Sequence, residues 1–322
     1  MANKLKISLS PHVHGGDSVK RNMQWVIIAM LPALLWSFYS FGLGAVVVTL
    51  TSVASCVFFE WAINKFILRN PRNSITDWSA VVTGLLLAFN LPSNLPLYII
   101  IVGALFAIGV GKMTFGGLGN NPFNPALVGR VFLLVSFPVK MTSWPVPHQM
   151  GAYTDAITAA TPLADLSKAS LADLFFGNVG GSMGEVSALL LLAGFVILLC
   201  AKVISWHIPV SIFVSAFCFS MIFYAIRGGM PFADICLLSL KHLCAGGIML
   251  GAVFMATDYV TSPMTHKGML IYGAFIGFLV ICIRLFGNYP EGMSFAILIM
   301  NGFVPLINNA CKPKRFAKEV KK

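Results

Sequence analysis

Charged residues are scarce in this sequence. They make up 10% of its 322 residues, whereas soluble proteins carry about 25%. Apolar residues make up 57%, and the mean hydropathy is +0.84. This composition excludes an ordinary soluble domain. The net charge of +11 does not indicate a nucleic-acid-binding protein, because the basic residues lie in short loops and tails, where membrane orientation explains them better.

Clustered cysteines are also absent. None of the seven cysteines belongs to a C-x-x-C pair, and most lie inside apolar runs. Iron–sulfur clusters and zinc sites need grouped thiolates, so we expect no metal site built by this chain alone. We expect buried, small apolar side chains instead. The cysteines are Cys56, Cys200, Cys218, Cys236, Cys244, Cys282 and Cys311.

Long apolar runs dominate what is present. A bilayer core about 30 Å thick requires roughly 20 apolar residues per helix. The runs cover about 25–41, 43–63, 78–91, 95–111, the stretch ending near 137, 186–201, 208–225, 243–256, 268–286 and 292–309. They predict an all-α polytopic membrane protein with about ten transmembrane helices. Because no cleavage pattern follows the first run, we expect a retained helix and not a signal peptide.

A short internal echo predicts how these helices are organised. Leu118-Gly119-Asn120-Asn121-Pro122 resembles Phe286-Gly287-Asn288-Tyr289-Pro290, and each copy precedes the last run of a five-helix half. Halves with an odd number of spans must be inverted relative to each other, so we predict an inverted 5+5 repeat. The expected divisions are a tail (1–24), a first repeat (25–137), a loop (138–185), a second repeat (186–309) and a basic tail (310–322).

The distribution of basic residues predicts the orientation of the chain. If both termini are cytoplasmic, the inside segments hold 17 of the 22 Lys and Arg residues. Lys112 and Arg130 are counted inside, and Arg284 outside. This asymmetry agrees with the positive-inside rule. It predicts that the loop 138–185 lies on the external side of the membrane.

Some polar residues interrupt the apolar pattern. Glu60, Lys112, Arg130, His207 and Arg284 lie at or near helix ends, where contact with headgroups or water is the ordinary expectation. Glu60 could also bind a cation beside the second helix.

Asparagines 120, 121 and 124 lie among glycines and prolines. Irregular backbone at membrane depth is tolerated only inside protein or beside a cavity. This Asn-rich break is therefore either a ligand site or a simple cytoplasmic turn.

The longest polar interval contains Asp155-Ala156-Ile157-Thr158-Ala159-Ala160-Thr161-Pro162. Small residues before Thr161 should leave its hydroxyl accessible, and Pro162 should prevent a helix from closing over it. From the residues alone, this is an exposed loop threonine near a carboxylate. The stretch resembles, however, the flavinylation motif Asp-x-x-(Ser/Thr)-(Gly/Ala)-Ala-Thr. In that motif a dedicated transferase joins the phosphate of FMN to the last threonine.

Several further motifs extend the resemblance along the chain. Ser10-Pro11-His12 with Met30-Leu31-Pro32-Ala33, the segment Asp77 to Leu87, and Asn120 to Leu127 resemble the D subunit of the Rnf electron-transport complex. The flavinylation motif follows in the expected order. The B subunit of the Na⁺-pumping NADH:quinone oxidoreductase is similar and shares the motif. It usually carries a longer N-terminal extension, so the first apolar run near Trp25 favours the Rnf protein.

The resemblance implies a membrane electron carrier without catalytic side chains of its own. It implies FMN bound covalently to Thr161, with Asp155, Thr158, Ala160 and Pro162 forming the motif that the flavin transferase recognises. Asn121 and Asn124 match positions near a second, non-covalent flavin such as riboflavin. The implied location is the bacterial inner membrane, in a complex that couples ferredoxin and NAD redox chemistry to Na⁺ or H⁺ movement.

Two other functions remain open at this stage. An inverted five-helix repeat also resembles urea and ammonium channels, and fold does not fix function. A channel has no need of an external flavinylation motif. A purely structural membrane subunit would bind no flavin at all.

Overall fold

The computed structural model describes residues 18–69, 74–151, 153–167, 169–185, 187–287 and 291–312. Helices contain most of these residues, and two short strands pair with each other. Several of the helices are long and apolar enough to cross a membrane. The prediction of an α-helical, polytopic membrane protein is therefore confirmed.

The N-terminal half consists of four helices joined by short turns. Single 3₁₀ turns at Ser74–Asp77 and Met113–Phe115 come before α2 and after α3. The helices are α1 (Val19–Ala62, continued by a π-helix at Ile63–Leu68), α2 (Ser79–Phe89), α3 (Leu97–Leu105, continued by a π-helix at Phe106–Val110) and α4 (Pro125–Ser136).

A connecting segment and a second set of helices follow. The segment contains α5 (Pro138–Met141), β1 (Trp144–Pro145), β2 (Thr158–Ala159), a 3₁₀ turn (Pro162–Ala164) and α6 (Leu171–Phe176). The second set is α7 (Ala188–Cys200), α8 (His207–Arg227), α9 (Phe232–Cys244), α10 (Ile248–Leu250, continued by a π-helix at Gly251–Met255), α11 (His266–Phe286) and α12 (Met293–Ala310).

Helix α1 is interrupted at Gly42. The helical stretch Val19–Leu68 has 50 residues, which would extend for about 75 Å if straight. This length far exceeds a bilayer core of about 30 Å. Gly42 has non-helical angles (φ 59°, ψ −136°), which a residue without a Cβ adopts readily. The break lies between the predicted runs 25–41 and 43–63, so it separates them as expected.

Every predicted apolar run coincides with a helix in the described residues. Five helical stretches are long and apolar enough to span a membrane, and a bent pair makes a sixth. Three others are apolar but shorter, namely α2, α4 and α7. The number of spans and the inverted relation of the two halves stay predictions.

Helix α9 was missed by the hydropathy pattern. The run predicted for 243–256 is only the second part of a bent pair, which begins at Phe232 and bends by 62° between α9 and α10. Gly246 lies in this bend with φ +64°. The first part escaped notice because Asp234, Lys241 and His242 lower its hydropathy.

The connecting segment packs against the helices. Trp144 pairs with Ala159, and Pro145 with Thr158, in a two-stranded ladder. The amide of Leu43 donates to the carbonyl of Met150 at 3.0 Å, directly after the break in α1. The segment therefore lies against the membrane-spanning helices.

Some predictions fall outside the described residues, and one is wrong. Ser10-Pro11-His12 and Asn288-Tyr289-Pro290 are not described, so the structure does not test the internal echo. Cysteines were expected to be buried, but only Cys56 and Cys244 are. The remaining five are partly or fully exposed.

We predict that the break in α1 tolerates only glycine. A Cβ at Gly42 would lie 2.3 Å from the carbonyl oxygen of Met150. Gly42→Ala should lower the free energy of unfolding by about 3 kcal/mol, because a left-handed backbone costs alanine about 1–2 kcal/mol and the overlap adds to this cost. The midpoint of thermal unfolding in detergent measures the effect. Gly229→Ala is the control, since Gly229 also has positive φ but open space around it. Equal midpoints for the two variants would contradict the prediction.

Candidate functional site

Thr161 lies at the end of the short ladder. Its backbone is extended (φ −68°, ψ 155°), as expected for a residue that precedes proline. Pro162 then begins a single 3₁₀ turn. Asp155, Thr158 and Ala160 are exposed, but Thr161 is only 8% exposed. The expectation of an accessible hydroxyl is therefore wrong, because the segment folds back onto the helices.

Thr161 forms part of the wall of a small pocket. The pocket contains about 310 Å³ of space between atoms, including space open to solvent. Two carboxylates, Glu185 and Glu291, line it together with Cys244 at the end of α9 and Gly246 in the bend that follows. The motif threonine is thus brought to residues from distant parts of the chain.

Backbone hydrogen bonds to the end of α2 fix the position of Glu185. The amide of Gly184 donates to the carbonyl of Phe89 at 2.8 Å, and the amide of Met183 donates to Leu91. A Cβ on Gly184 would lie 2.4 Å from the Cβ of Phe89, so only glycine allows this approach. Glu185 follows directly and is 5% exposed.

Arg130 of α4 connects three parts of the chain beside this pocket. Its Nη1 donates to Asn90 Oδ1 at 2.5 Å and to Glu185 Oε1 at 3.3 Å. Its Nη2 donates to Glu291 Oε2. Buried charges require such partners, because desolvation is costly. Arg130, which was counted with the cytoplasmic residues, lies beside the Thr161 segment, and the side of the membrane on which each of them lies stays a prediction.

Arg284 and Lys241 hold backbone carbonyls around the same pocket. Arg284 donates to the carbonyls of His242 (2.6 Å) and Ala245 (2.8 Å), at the end of α9. Lys241 Nζ donates to the carbonyls of residues 166 (3.2 Å) and 167 (3.4 Å), in the segment after Thr161. These bonds anchor both the bend and the connecting segment.

Glu291 is expected to bind protons more tightly than an ordinary glutamate. It lies between α11 and α12. Burial raises the pKa of Glu291 most, and the negative charge of Glu185 raises it further, to about 8. Arg130 and Arg284 act in the opposite direction but are outweighed.

The Asn-rich break borders a second, larger cavity. This cavity contains about 770 Å³ of space, including space open to solvent, and both Asn121 and Asn124 line it. Asn124 caps α4 by accepting from the amide of Ala126 at 3.1 Å, and its Nδ2 donates to the carbonyl of Met255 at 3.2 Å. Asn124 therefore has a structural role.

Asn121 retains an available hydrogen-bonding atom. It is 3% exposed, and its Nδ2 donates to the carbonyl of Phe123 at 3.1 Å. Its Oδ1 is buried without a hydrogen-bond partner in the described part of the chain. Buried polar atoms are rarely left unpaired, so this oxygen is suited to accept from a ligand.

A buried ion pair lies at the same cavity. Lys112 Nζ donates to Glu60 Oε2 at 2.7 Å and to Ser79 Oγ at 2.6 Å, and the hydroxyl of Ser79 donates to Asp77. The expectation that Glu60, Lys112 and Arg130 contact headgroups or water is wrong, because all three are buried in ion pairs. The ring of His207, the fourth of these residues, stacks between the rings of Trp206 and His266.

Comparison with known families identifies the chain. The sequence model described as the NQR2, RnfD, RnfE family matches residues 6–317. The chain belongs to this family.

Three relatives within the family cover nearly the full length. The D subunit of the Na(+)-translocating ferredoxin:NAD(+) oxidoreductase complex of Acetobacterium woodii is 46% identical over 98% of this chain and 94% of its own. The proton-translocating counterpart from Clostridium ljungdahlii is 39% identical (98% and 96%). The D subunit of the ion-translocating oxidoreductase complex of Stutzerimonas stutzeri is 38% identical (95% and 94%). The resemblance to the Rnf D subunit is confirmed.

The sequence did not predict that the buried charged residues of this protein would form a site. Glu185 and Glu291 fall at the edges of apolar runs, where they resemble ordinary loop carboxylates. Arg130 lies inside α4, and a charge within an apolar helix was the signal available. The sequence does not show which carboxylates Arg130 contacts.

We predict that Lys112 and Glu60 stabilise the fold only as a pair. Lys112→Met should lower the free energy of unfolding by about 3–5 kcal/mol, because it leaves a buried carboxylate without its cation. The double variant Lys112→Met/Glu60→Gln should recover most of this loss. A double-mutant cycle by thermal or denaturant unfolding measures the coupling, with Lys140→Met, at an exposed lysine, as control. Additive effects of the two substitutions would contradict the prediction.

Proposed function

We propose that this protein is a membrane electron-carrier subunit of an ion-translocating ferredoxin:NAD oxidoreductase complex of the Rnf type. It carries FMN as a phosphoester on Thr161. The observation that carries the proposal is the location of the motif threonine in the wall of a pocket, in a chain whose full-length relatives are named as D subunits of such complexes. No side chain is assigned a catalytic role.

The residues around Thr161 are compatible with part of FMN. The Thr161 hydroxyl would form the bond to phosphate, and Gly180 and Gly181 border the pocket without side chains. When bound, the flavin supplies the redox chemistry, and the protein supplies position and electrostatics. The pocket would hold the part of FMN next to the phosphoester, and residues 158–160 beside it are exposed.

The burial of Thr161 has a consequence for attachment. A flavin transferase must reach a hydroxyl that is 8% exposed in the folded chain. The transferase therefore acts either before the connecting segment packs or on a state in which the segment has moved away. Asp155 and Thr158 are exposed and are available for recognition by the transferase.

The partners in this proposal are the other membrane and peripheral subunits of the complex. The relatives' names include both a sodium-translocating and a proton-translocating complex, so similarity at 39–46% identity leaves the coupling ion open. We place both termini in the cytoplasm and Thr161 on the external side of a bacterial inner membrane.

The cavity at Asn121 supports a second, non-covalent flavin such as riboflavin. It contains about 770 Å³ of space, including space open to solvent. The unpaired Oδ1 of Asn121 offers an acceptor, and the Lys112 ammonium lies on the same cavity wall.

We predict covalent flavin at Thr161. The protein, purified from cells that contain the flavin transferase and denatured on a gel, should fluoresce under ultraviolet light, and Thr161→Ala should abolish the fluorescence. Thr154→Ala is the matched control, because Thr154 is an exposed threonine outside the motif. A dark wild-type band, with the transferase active on another substrate, would remove the covalent-flavin proposal and favour a channel or structural subunit.

We predict that Asn121 contributes to non-covalent flavin binding. In a Thr161→Ala background, Asn121→Leu should weaken the affinity for riboflavin by about tenfold, as expected for loss of one buried hydrogen bond. Flavin released on denaturation and separated by chromatography gives the occupancy. Asn120→Leu, at the exposed neighbouring asparagine, should retain wild-type affinity. Equal affinities for both variants would contradict the assignment.

A further inference from the structure

The wall of the Asn121 cavity contains a hydrogen-bond donor and an acceptor from one short segment. Lys112 and Asn121 both line the cavity, and they are buried, at 1% and 3% exposed. The chain between them is compact, because the amide of Gly117 donates to the carbonyl of Lys112 at 3.1 Å and the amide of Asn120 donates to the carbonyl of Gly117 at 3.3 Å. Consecutive turns therefore hold the two side chains on the same part of the wall.

The ammonium of Lys112 has a donor that the protein does not use. An ammonium group carries three N–H donors. Glu60 Oε2 and Ser79 Oγ accept from Lys112 Nζ at 2.7 and 2.6 Å, and the described residues offer no acceptor for a third bond. Because Ser79 itself lines the cavity, these two bonds hold the ammonium beside the cavity in a fixed position.

Asn121 supplies the acceptor. Its Nδ2 donates to the carbonyl of Phe123 at 3.1 Å, and this bond fixes the orientation of the amide. Its buried Oδ1 has no partner among the described residues. Because an unpaired buried polar atom is costly, this oxygen favours a ligand that donates to it. Together with Lys112, it selects a ligand that carries a donor next to an acceptor.

Asp258 is another acceptor on the cavity wall. Its Oδ1 accepts from the amide of Val260 at 3.5 Å, and its Oδ2 accepts from the hydroxyl of Thr261 at 3.2 Å. Both carboxylate oxygens thus serve the turn that contains Asp258. Asn121 Oδ1 differs from them because it has no such bond in the described part of the chain.

The second set of helices contributes an apolar part of the same wall. Leu198 of α7 and two residues of the π-helix Gly251–Met255, Val253 and Phe254, line the cavity. The isoalloxazine ring of a flavin has a matching division. Its imide edge carries N3–H between two carbonyl groups, and its dimethylbenzene end is apolar. The ring therefore fits with the imide edge at Lys112 and Asn121 and the apolar end among these side chains.

We propose that Lys112 and Asn121 recognise the imide edge of the second, non-covalent flavin. Asn121 Oδ1 accepts from N3–H, and the Lys112 ammonium donates to a carbonyl oxygen next to it. This inference rests on the proposed binding of a flavin in this cavity. It gives Lys112 a ligand-binding role in addition to its ion pair with Glu60, and it states which end of the ring contacts the Asn-rich segment.

The first experiment compares riboflavin with 3-methylriboflavin, in which a methyl group replaces the hydrogen on N3. Equilibrium dialysis of the Thr161→Ala protein should give about 30-fold tighter binding of riboflavin, because the methyl group removes the donor and leaves Asn121 Oδ1 unpaired. Adding Asn121→Ala should nearly abolish this difference, since alanine has no acceptor and leaves room for the methyl group. Asn120→Ala, at the exposed neighbour, is the matched control and should preserve the difference.

The outcomes separate this inference from the proposed flavin site. Equal affinities of the two flavins for Thr161→Ala would overturn the recognition of the imide edge, although a second flavin would still bind. A difference that persists in the Asn121→Ala variant would assign N3–H to another acceptor, such as Asp258, and would overturn it equally. Absence of riboflavin binding to Thr161→Ala would remove the second flavin and this inference together.

The second experiment tests the donor. The double substitution Lys112→Met/Glu60→Gln removes the ammonium without leaving a buried carboxylate unpaired, so this protein should fold. Affinity for riboflavin should fall about tenfold. In infrared difference spectra, one carbonyl band of bound riboflavin should move to higher frequency, because its oxygen loses a charged hydrogen bond. Lys140→Met, at an exposed lysine, should leave both bands in place. Unchanged carbonyl bands in the double variant would overturn the role of Lys112, because a purely structural residue alters affinity without shifting one band.

Discussion

The hydrogen bonds of Arg130 are the interaction on which much of the structure depends. A guanidinium inside an apolar helix is costly unless its donors are satisfied, and here Asn90, Glu185 and Glu291 satisfy them. These partners come from the residue after α2, from the connecting segment and from the residues just before α12. The buried guanidinium of Arg130 therefore fixes the orientation of three segments that are far apart in sequence. Two of these segments supply Glu185 and Glu291, which line the pocket beside Thr161.

Much of the fold could be predicted from the sequence. Apolar runs identify helices because burial in lipid requires continuous hydrophobicity, and the glycines near Gly42 correctly separated two of them. The Asn-rich break before α4 was also informative, since Asn124 caps that helix and Asn121 borders a cavity. Helix α9 was missed because its charged face makes bonds that only the three-dimensional structure reveals.

The candidate site was predicted only in part, and the reason is physical. The motif from Asp155 to Thr161 is defined by neighbouring residues, so it can be recognised in the sequence alone. The burial of Thr161 and the pairing of Lys112 with Glu60 depend on contacts between distant segments, which hydropathy and positive-inside counting do not contain. A single charged residue near a helix end is ordinarily expected to contact water. This expectation is wrong when an oppositely charged partner lies inside the helix bundle.

Helix α2 links the two groups of buried polar residues. Ser79 at its start contacts Lys112, and Asn90 just after its end contacts Arg130. Its 11 residues extend for about 16 Å, roughly half of an ordinary bilayer core. Because both contacts are made from the two ends of one short helix, this helix holds the two groups of buried polar residues at a separation of about its own length.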